Sequence, residues 1–305
     1  MSDVRYSEKG IIPAGTVAVT IGVDCQADGF YFLVACWGRK HELWLPLTGR
    51  LTGDMRDEAV WKALLEILTT LWLDKEGNAY PSKISALDIQ GDFYPECLEF
   101  VRAYGYHRVR AVRGYAVHKG QTSGRSFGIL RNRYADKTTG VTVTNVDVDI
   151  AKSQLANMLA RKDPIQVHLP CGENGEVKGG WDVEAIAELT AEYRRQSNVR
   201  GYTVTSWHKR SGRPNHRLDC MVYSLAALAI SRLKIDDCEI QRVEARNVGK
   251  EPEENARPVK WGARKMAVSG IPELGGVTGF GTEPPDRPSG SSRRFGPVPW
   301  SGLSF

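Results

Sequence analysis

The sequence predicts a mixed α/β fold, a sheet with helices on its faces, and two observations carry that expectation. Three apolar runs near the start are separated by turns too short for a crossover; beyond them, runs of strand length alternate with stretches of helical period. Val17 to Asp24, Phe30 to Trp37 and Glu42 to Leu47 read as strands joined by Ala27-Asp28-Gly29 and Gly38-Arg39-Lys40, which are short enough for hairpins. They make an antiparallel meander. Trp61, Leu64, Leu65, Leu68 and Leu71-Trp72 keep helical spacing. Ile84 to Asp88 is the next strand, and Pro95, Leu98, Val101 and Arg102 belong to a helix with proline near its start. Val109 to Val112 is a further strand, which completes a β-β-β-α-β-α-β series. A hairpin from Phe127 to Val146, a helix from about Asp149 to Ala160, a helix from about Asp182 to Arg195, a strand near Thr203 to Trp207 and a helical run from Leu218 to Leu233 follow. Crossover helices between strands imply that the later strands join the sheet in parallel.

With 305 residues and 41% hydrophobic content the chain can bury a real core. No stretch approaches the roughly 18 apolar residues of a membrane span, and Met1-Ser2-Asp3-Val4-Arg5 lacks a signal-peptide core. The expectation is a cytoplasmic protein with no membrane partner. Six scattered cysteines form no C-x-x-C pair and no zinc-like cluster, so they read as reduced, buried thiols. Residues 1–14 read as an N-terminal arm, 15–235 as one domain and 236–305 as a flexible tail. The tail holds eight of the fifteen prolines and ten glycines, a composition that does not sustain a core. Its spaced aromatics, Trp261, Phe280, Phe295, Trp300 and Phe305, suit docking to a partner.

Three aspartates stand at element ends: Asp24 and Asp88 close apolar strands, and Asp219 opens the last helical run. Carboxylates held at a sheet rim suit Mg²⁺ or Mn²⁺, which take oxygen ligands and leave room for substrate phosphate. Two such ions about 4 Å apart clamp a scissile phosphate in two-metal hydrolysis. The expected chemistry is metal-dependent phosphodiester cleavage, with helix capping as the alternative role of Asp219. Asp92 is either an outer ligand or the cap of the helix near Pro95. Asp147 and Asp149 alternate with Val146, Val148 and Ile150; Asp149 is expected to cap the following helix, within possible reach of the ions.

The net charge of +5 is modest, but its placement is uneven. Phe100 to Ala135 contains no acid and carries Arg108, Arg110, Arg113, Lys119 and Arg125 interleaved with aromatics. Tyr193 to Leu218 is also acid-free and carries Lys209, Arg210 and Arg213. These cations flank the aspartates in sequence and are expected to neutralise the backbone of double-stranded DNA. His208 and His216 are candidates for proton transfer or phosphate binding.

The segments IGVDCQADGFYFLVACWG, ALDIQGDFYPECLEFVRA, VDVDIAKSQLANML and RPNHRLDCMVYSLAALA resemble the C-terminal nuclease part of the lambda-type phage terminase large subunit over roughly residues 15 to 233. The resemblance implies an RNase H-like fold, a site built on Asp24, Asp88 and Asp219, and the cutting of concatemeric viral DNA during packaging. It places Lys152 in the family-like AKSQL as a candidate phosphate contact. It also implies a small terminase subunit, a capsid portal and an ATP-driven translocase as partners. No G-x-x-x-x-G-K-[ST] occurs in this chain, so the ATPase is expected on another segment or chain. Some relatives carry an acid where His216 stands. Other RNase H-like nucleases of resolvase or transposase type would use the same carboxylates, and a non-catalytic DNA-binding or assembly module would keep the fold alone.

Overall fold

The structure, a computed structural model, describes residues 12–105, 108–116, 128–172, 174–199 and 202–235. The N-terminal residues 1–11, the tail from 236, and Lys119 and Arg125 lie outside them.

The opening meander is present and longer than its apolar runs: β1 (Ala18–Gln26), β2 (Gly29–Trp37) and β3 (Leu43–Thr52), all antiparallel. Gly29 joins the first two at φ +138°, a backbone region that an L side chain rarely adopts. Helix α1 (Glu58–Thr69) is capped by the Asp57 carboxylate, which accepts from the Ala59 amide at 3.0 Å. It does not continue through Leu71-Trp72 as its apolar spacing suggests. The Thr69 and Thr70 hydroxyls donate to Leu65 and Glu66 carbonyls at its end, and Leu71–Leu73 becomes β4, paired with β5 (Ala79–Asp88).

Helix α2 (Tyr94–Tyr104), strand β6 (Val109–Tyr115), the β7 (Leu130–Ala135) and β8 (Thr142–Asp147) hairpin and helix α3 (Val148–Ala160) follow as expected. Two capping assignments change. Phe93, not Asp92, is the N-cap of α2. At α3 the cap is Asp147, which accepts from the Ile150 amide at 3.1 Å and pairs with Arg131; Asp149 falls inside the first turn. The segment expected to be a helix through Arg195 is helical only as α4 (Val183–Glu188), capped by Asp182. Beyond it, β10 (Glu192–Val199) pairs with β11 (Tyr202–Lys209) in a separate antiparallel ribbon. Tyr193-Arg194-Arg195 lacks apolar residues at helical spacing, and cross-strand pairing satisfies its backbone instead. The last helix, α5 (His216–Ser231), starts before Asp219 rather than at it.

The main sheet, with the short β9 (Val167–His168) at its edge, runs β7-β8-β6-β5-β1-β2-β3-β9 among the described residues. Strands β1, β5, β6 and β8 are mutually parallel, and the meander turns antiparallel from β1 outward. This is the mixed sheet, an antiparallel meander joined to parallel strands, that the sequence predicts. Alternation along β1 divides the core in two. Val19, Ile21, Val23 and Cys25 pack with Trp61, Leu64, Phe100 and other residues of α1 and α2, whereas Ala18 joins Leu33, Trp37 and the apolar residues of α3 and α5 on the opposite face.

Among the described residues no helix is long and apolar enough to cross a membrane.

Candidate metal centre and its surroundings

Strand parity decides where the first two aspartates point. Asp24 shares its face with Thr20 and Gly22, which lie against α5, and the Thr20 hydroxyl donates to the Ser224 carbonyl at 3.0 Å. Asp88 shares its face with Ile84 and Ala86, which pack in the α5-side core. In the parallel β1/β5 register Val23 lies opposite Leu87, so the next residue of each strand, Asp24 and Asp88, stands at one level of the rim. Helix α5 packs so closely on β1 that a Cβ on Gly22 would lie 1.9 Å from the Cys220 carbonyl oxygen. That contact sets the first turn of α5, with Asp219, over the same rim.

The three carboxylates feel one another. Burial pushes the Asp88 carboxyl up to about 8, Asp24 and Asp219 push it further in the same direction, and the Tyr223 hydroxyl and Gln90 amide oppose the rise. Burial also pushes Asp219 up to about 6; Lys152 offsets part of this, and Asp24 and Glu192 add to it. Clustered, desolvated carboxylates of this kind disfavour their own ionisation unless a cation neutralises them.

All three are engaged by neighbours, Asp88 through the Gln90 amide at 3.2 Å. Asp24 Oδ2 accepts from Gln26 Nε2 at 2.8 Å and lies 2.9 Å from His216 Nδ1. The His216 ring stacks on Tyr31, the cross-strand partner of Asp24, with ring centroids 4.2 Å apart. Asp219 Oδ1 is 2.9 Å from Lys152 Nζ, and its Oδ2 accepts from Asn215 Nδ2 at 2.7 Å. Asn215 is the N-cap position of α5 and makes no side-chain cap; its Nδ2 donates to Asp219 and Glu192 instead. The capping alternative for Asp219 is thereby set aside: its carboxylate faces the site.

Among the described residues no group of three or more His, Cys, Asp or Glu side chains converges on one metal position. The donors nevertheless fit a hard divalent cation in type. They are three carboxylates from β1, β5 and α5, of which Asp88 has no cationic partner among the described residues and is driven toward its neutral form. Asp24 and Asp88 line a cleft of about 390 Å³ together with Gln90 and Asp92. Asp92 therefore lies beside the pair in that cleft. Asp149 accepts from the Trp207 amide at 2.9 Å, which ties the ribbon to α3.

The cations divide. Lys209, Arg210 and Arg213 are exposed between the ribbon and α5, and Arg210 lies over the Tyr193 ring. Arg113 is exposed on β6 just beyond Val112, the partner of Asp88. Arg108 precedes β6, where its carbonyl accepts from Ser85, and the Arg110 guanidinium folds back onto the Gly105 and Val109 carbonyls. The Arg108 side chain is exposed, whereas the Arg110 side chain braces the α2–β6 connection. Lys152 is no surface contact either, being buried with its ammonium on Glu192 and Asp219. His208 sits on the ribbon 3.0 Å from Ser206 Oγ, whereas His216 Nδ1 lies 2.9 Å from Asp24 Oδ2. Glu192, Asn215 and Tyr223 have no counterpart in the sequence-based site. Asn215 carried the one available signal, its place in the N-x-x-L-D-C segment.

A family model for the terminase large subunit gpA, endonuclease domain, matches residues 2–241. The large terminase subunit of Escherichia phage lambda is 28% identical over 244 residues, which cover 77% of this chain and 36% of that protein. This chain thus spans little more than a third of its relative. Among solved structures, the nuclease domain of the large terminase subunit gp2 of bacterial virus Sf6 aligns at 14% identity and TM-score 0.36, over 68% of this chain and 86% of that one. The fowlpox virus resolvase, solved with Holliday junction DNA, aligns at 12% identity and TM-score 0.25, over 34% and 65%. Because the family model spans well over half of the chain and includes Asp24, Asp88 and Asp219, the chain belongs to the terminase large subunit gpA endonuclease domain family.

Proposed function

We propose that the chain is a divalent-metal-dependent endodeoxyribonuclease that cuts concatemeric phage DNA during genome packaging. What supports this reading is that Asp24, Asp88 and Asp219 stand near enough at one rim to interact electrostatically, with burial first and then the neighbouring carboxylates raising Asp88 and Asp219. Asp24, Asp88 and Asp219 would hold two Mg²⁺ or Mn²⁺ ions, with Asp92 as an outer carboxylate. The ions supply an activated water and charge stabilisation at the leaving oxygen.

The chain's own groups do the rest. Tyr223 donates to Asp88 and keeps its carboxyl aimed at the rim. His216, held flat against Tyr31, orients Asp24 through Nδ1 and is positioned to shuttle a proton at the reaction mouth. Arg113, Lys209, Arg210 and Arg213 receive the backbone phosphates of double-stranded DNA. Lys119 and Arg125, outside the described residues, remain candidates for the same role from the sequence. An ATPase domain or chain, a small terminase subunit and a capsid portal complete the packaging assembly, with the tail after Asp236 as a docking segment, in the host cytoplasm.

Supercoiled plasmid incubated with Mn²⁺ tests the site. Wild-type protein is expected to nick and linearise it. Asp24→Asn should lower the rate by more than the ~10–100-fold usual for losing an outer partner of a metal site. Intact plasmid with wild-type protein, or an unchanged rate in the variant, overturns the proposal.

A further inference from the structure

Three residues, Lys152, Glu192 and Asn215, meet behind Asp219 and join three elements. Lys152 comes from α3, Glu192 is the first residue of β10, Asn215 precedes α5, and Asp219 lies in its first turn. The Lys152 ammonium is 2.6 Å from Glu192 Oε1 and 2.9 Å from Asp219 Oδ1. Asn215 Nδ2 donates at 2.7 Å both to that Glu192 oxygen and to Asp219 Oδ2. Both oxygens of Asp219 therefore already have a donor. One buried ammonium serves two carboxylates, of which only Asp219 also faces Asp24 and Asp88.

A pair whose task was stability alone would gain little, since desolvating both charges offsets most of their attraction. A shared cation has a different use. With Lys152 side-chain exposure of 8%, its ammonium has almost no water to turn to when it gives up a carboxylate. It can leave Asp219 only because a second acceptor already holds it. Glu192, the nearer of the two and 5% exposed in its side chain, is that acceptor.

Resting on the assignment of Asp219 as a metal ligand, we propose that the Lys152 ammonium and a divalent cation compete for Asp219, and that Glu192 positions Lys152 so that it yields. Lys152 and Glu192 are positioning residues in this scheme. They act through Asp219 and touch neither substrate nor the reacting atoms. Lys152 holds the Asp219 carboxylate in one orientation before the metal arrives; Glu192 retains the displaced ammonium once it does.

The charges give opposite signs for the two substitutions. Lys152→Met removes the competitor and leaves more negative charge at the rim, so metal binds more tightly. Glu192→Gln removes the negative charge that holds the ammonium away from Asp219, so Lys152 stays on Asp219 and metal binds more weakly. The combined variant keeps the same net charge as wild type in this cluster and should return close to it.

Mn²⁺ binding to the whole chain without DNA, followed by the electron paramagnetic resonance signal of free Mn²⁺, tests this. The expected shifts in dissociation constant are at least about tenfold in each direction, as one charge a few ångströms from a divalent ion predicts at an effective dielectric of about 20. Lys152→Arg should stay within about threefold of wild type, its charge being retained. Circular dichroism confirms that each variant is folded, and the combined variant supplies the test should either single one misfold. Asp219→Asn separates the two claims: if it binds Mn²⁺ as wild type does, the metal assignment fails. If Asp219→Asn weakens binding but Lys152→Met and Glu192→Gln shift it in the same direction or not at all, the competition is overturned. A combined variant that fails to return toward wild-type affinity also overturns it.

Discussion

Asp88 is the residue at which burial and function oppose each other most directly. Its side chain ends a strand inside the α5-side core, and its carboxyl rises from the ordinary carboxylate range to about 8. A group whose folded value lies above its unfolded one contributes stability in acid, and that contribution is lost as pH rises through the folded value. Metal-free protein should therefore lose stability between about pH 4 and pH 8, with Asp219 contributing to the lower part of that window at about 6. Asp88→Asn removes most of the dependence. In EDTA its melting temperature should fall less than that of wild type between pH 5 and pH 8, and at pH 8 it should be the more stable by at least about 1 kcal/mol. Parallel melting curves for the two proteins would show that Asp88 is not strained by its surroundings. Added Mn²⁺ should flatten the wild-type curve, because a bound cation stabilises the ionised form.

Helix α5 and strand β1 together act as the jig for the site. The helix reaches the sheet over Gly22, where β1 has no side chain, and the Thr20 hydroxyl joins the two elements by donating to Ser224 while accepting from Trp37 Nε1 at 2.7 Å. A methyl group at Gly22 meets backbone atoms of Cys220 and Ser224, which cannot swing aside as a flexible side chain would. Gly22→Ala should therefore lift α5 from β1 and draw Asp219 away from Asp24. Overpacking of this kind costs about 1–3 kcal/mol or more. Urea denaturation should show that loss, and cleavage should fall further than the residual folded fraction explains. A variant with wild-type stability and rate would mean that the helix has slack to accommodate the methyl. The ribbon is the second element with a positional role: Trp207 donates to Asp149 and Ser153 on α3, and Glu192 reaches Asp219 through Lys152.

At the scale of the whole molecule, exposed cations and clustered carboxylates occupy one end of the parallel strands. Arg113 follows Val112 on β6, while Lys209, Arg210 and Arg213 lead from the ribbon into α5. Every phosphate that a side chain neutralises adds about 0.9 to the steepness with which log affinity falls against log salt. Lys209→Gln with Arg213→Gln should thus reduce that slope by about 1.8 for duplex DNA, measured by fluorescence anisotropy across a salt series. Arg108→Gln, at the opposite end of β6, should leave it unchanged. Equal effects at both ends would disperse the interface over the surface.

Much of this was legible in the chain itself. The meander, the parallel strands, helices α2, α3 and α5 and the aspartates at element ends follow from period, turn length and parity, which depend on residues a few positions apart. The misplaced boundaries share one cause: local spacing does not reveal that Leu71–Leu73 will pair with β5 or that Tyr193 to Arg195 will pair with Ser206 to His208. The sequence by itself determined which faces of β1 and β5 carry Asp24 and Asp88, because side chains alternate along any strand. Only the tertiary structure decided what those carboxylates meet. His216 is 192 residues from Asp24 and Glu192 is 40 from Lys152, so each pairing depends on how whole elements stack rather than on neighbouring residues. The same long-range packing turned Lys152 from an apparent surface cation into the buried counter-ion of Asp219, since burial belongs to the assembled core and not to the local chain.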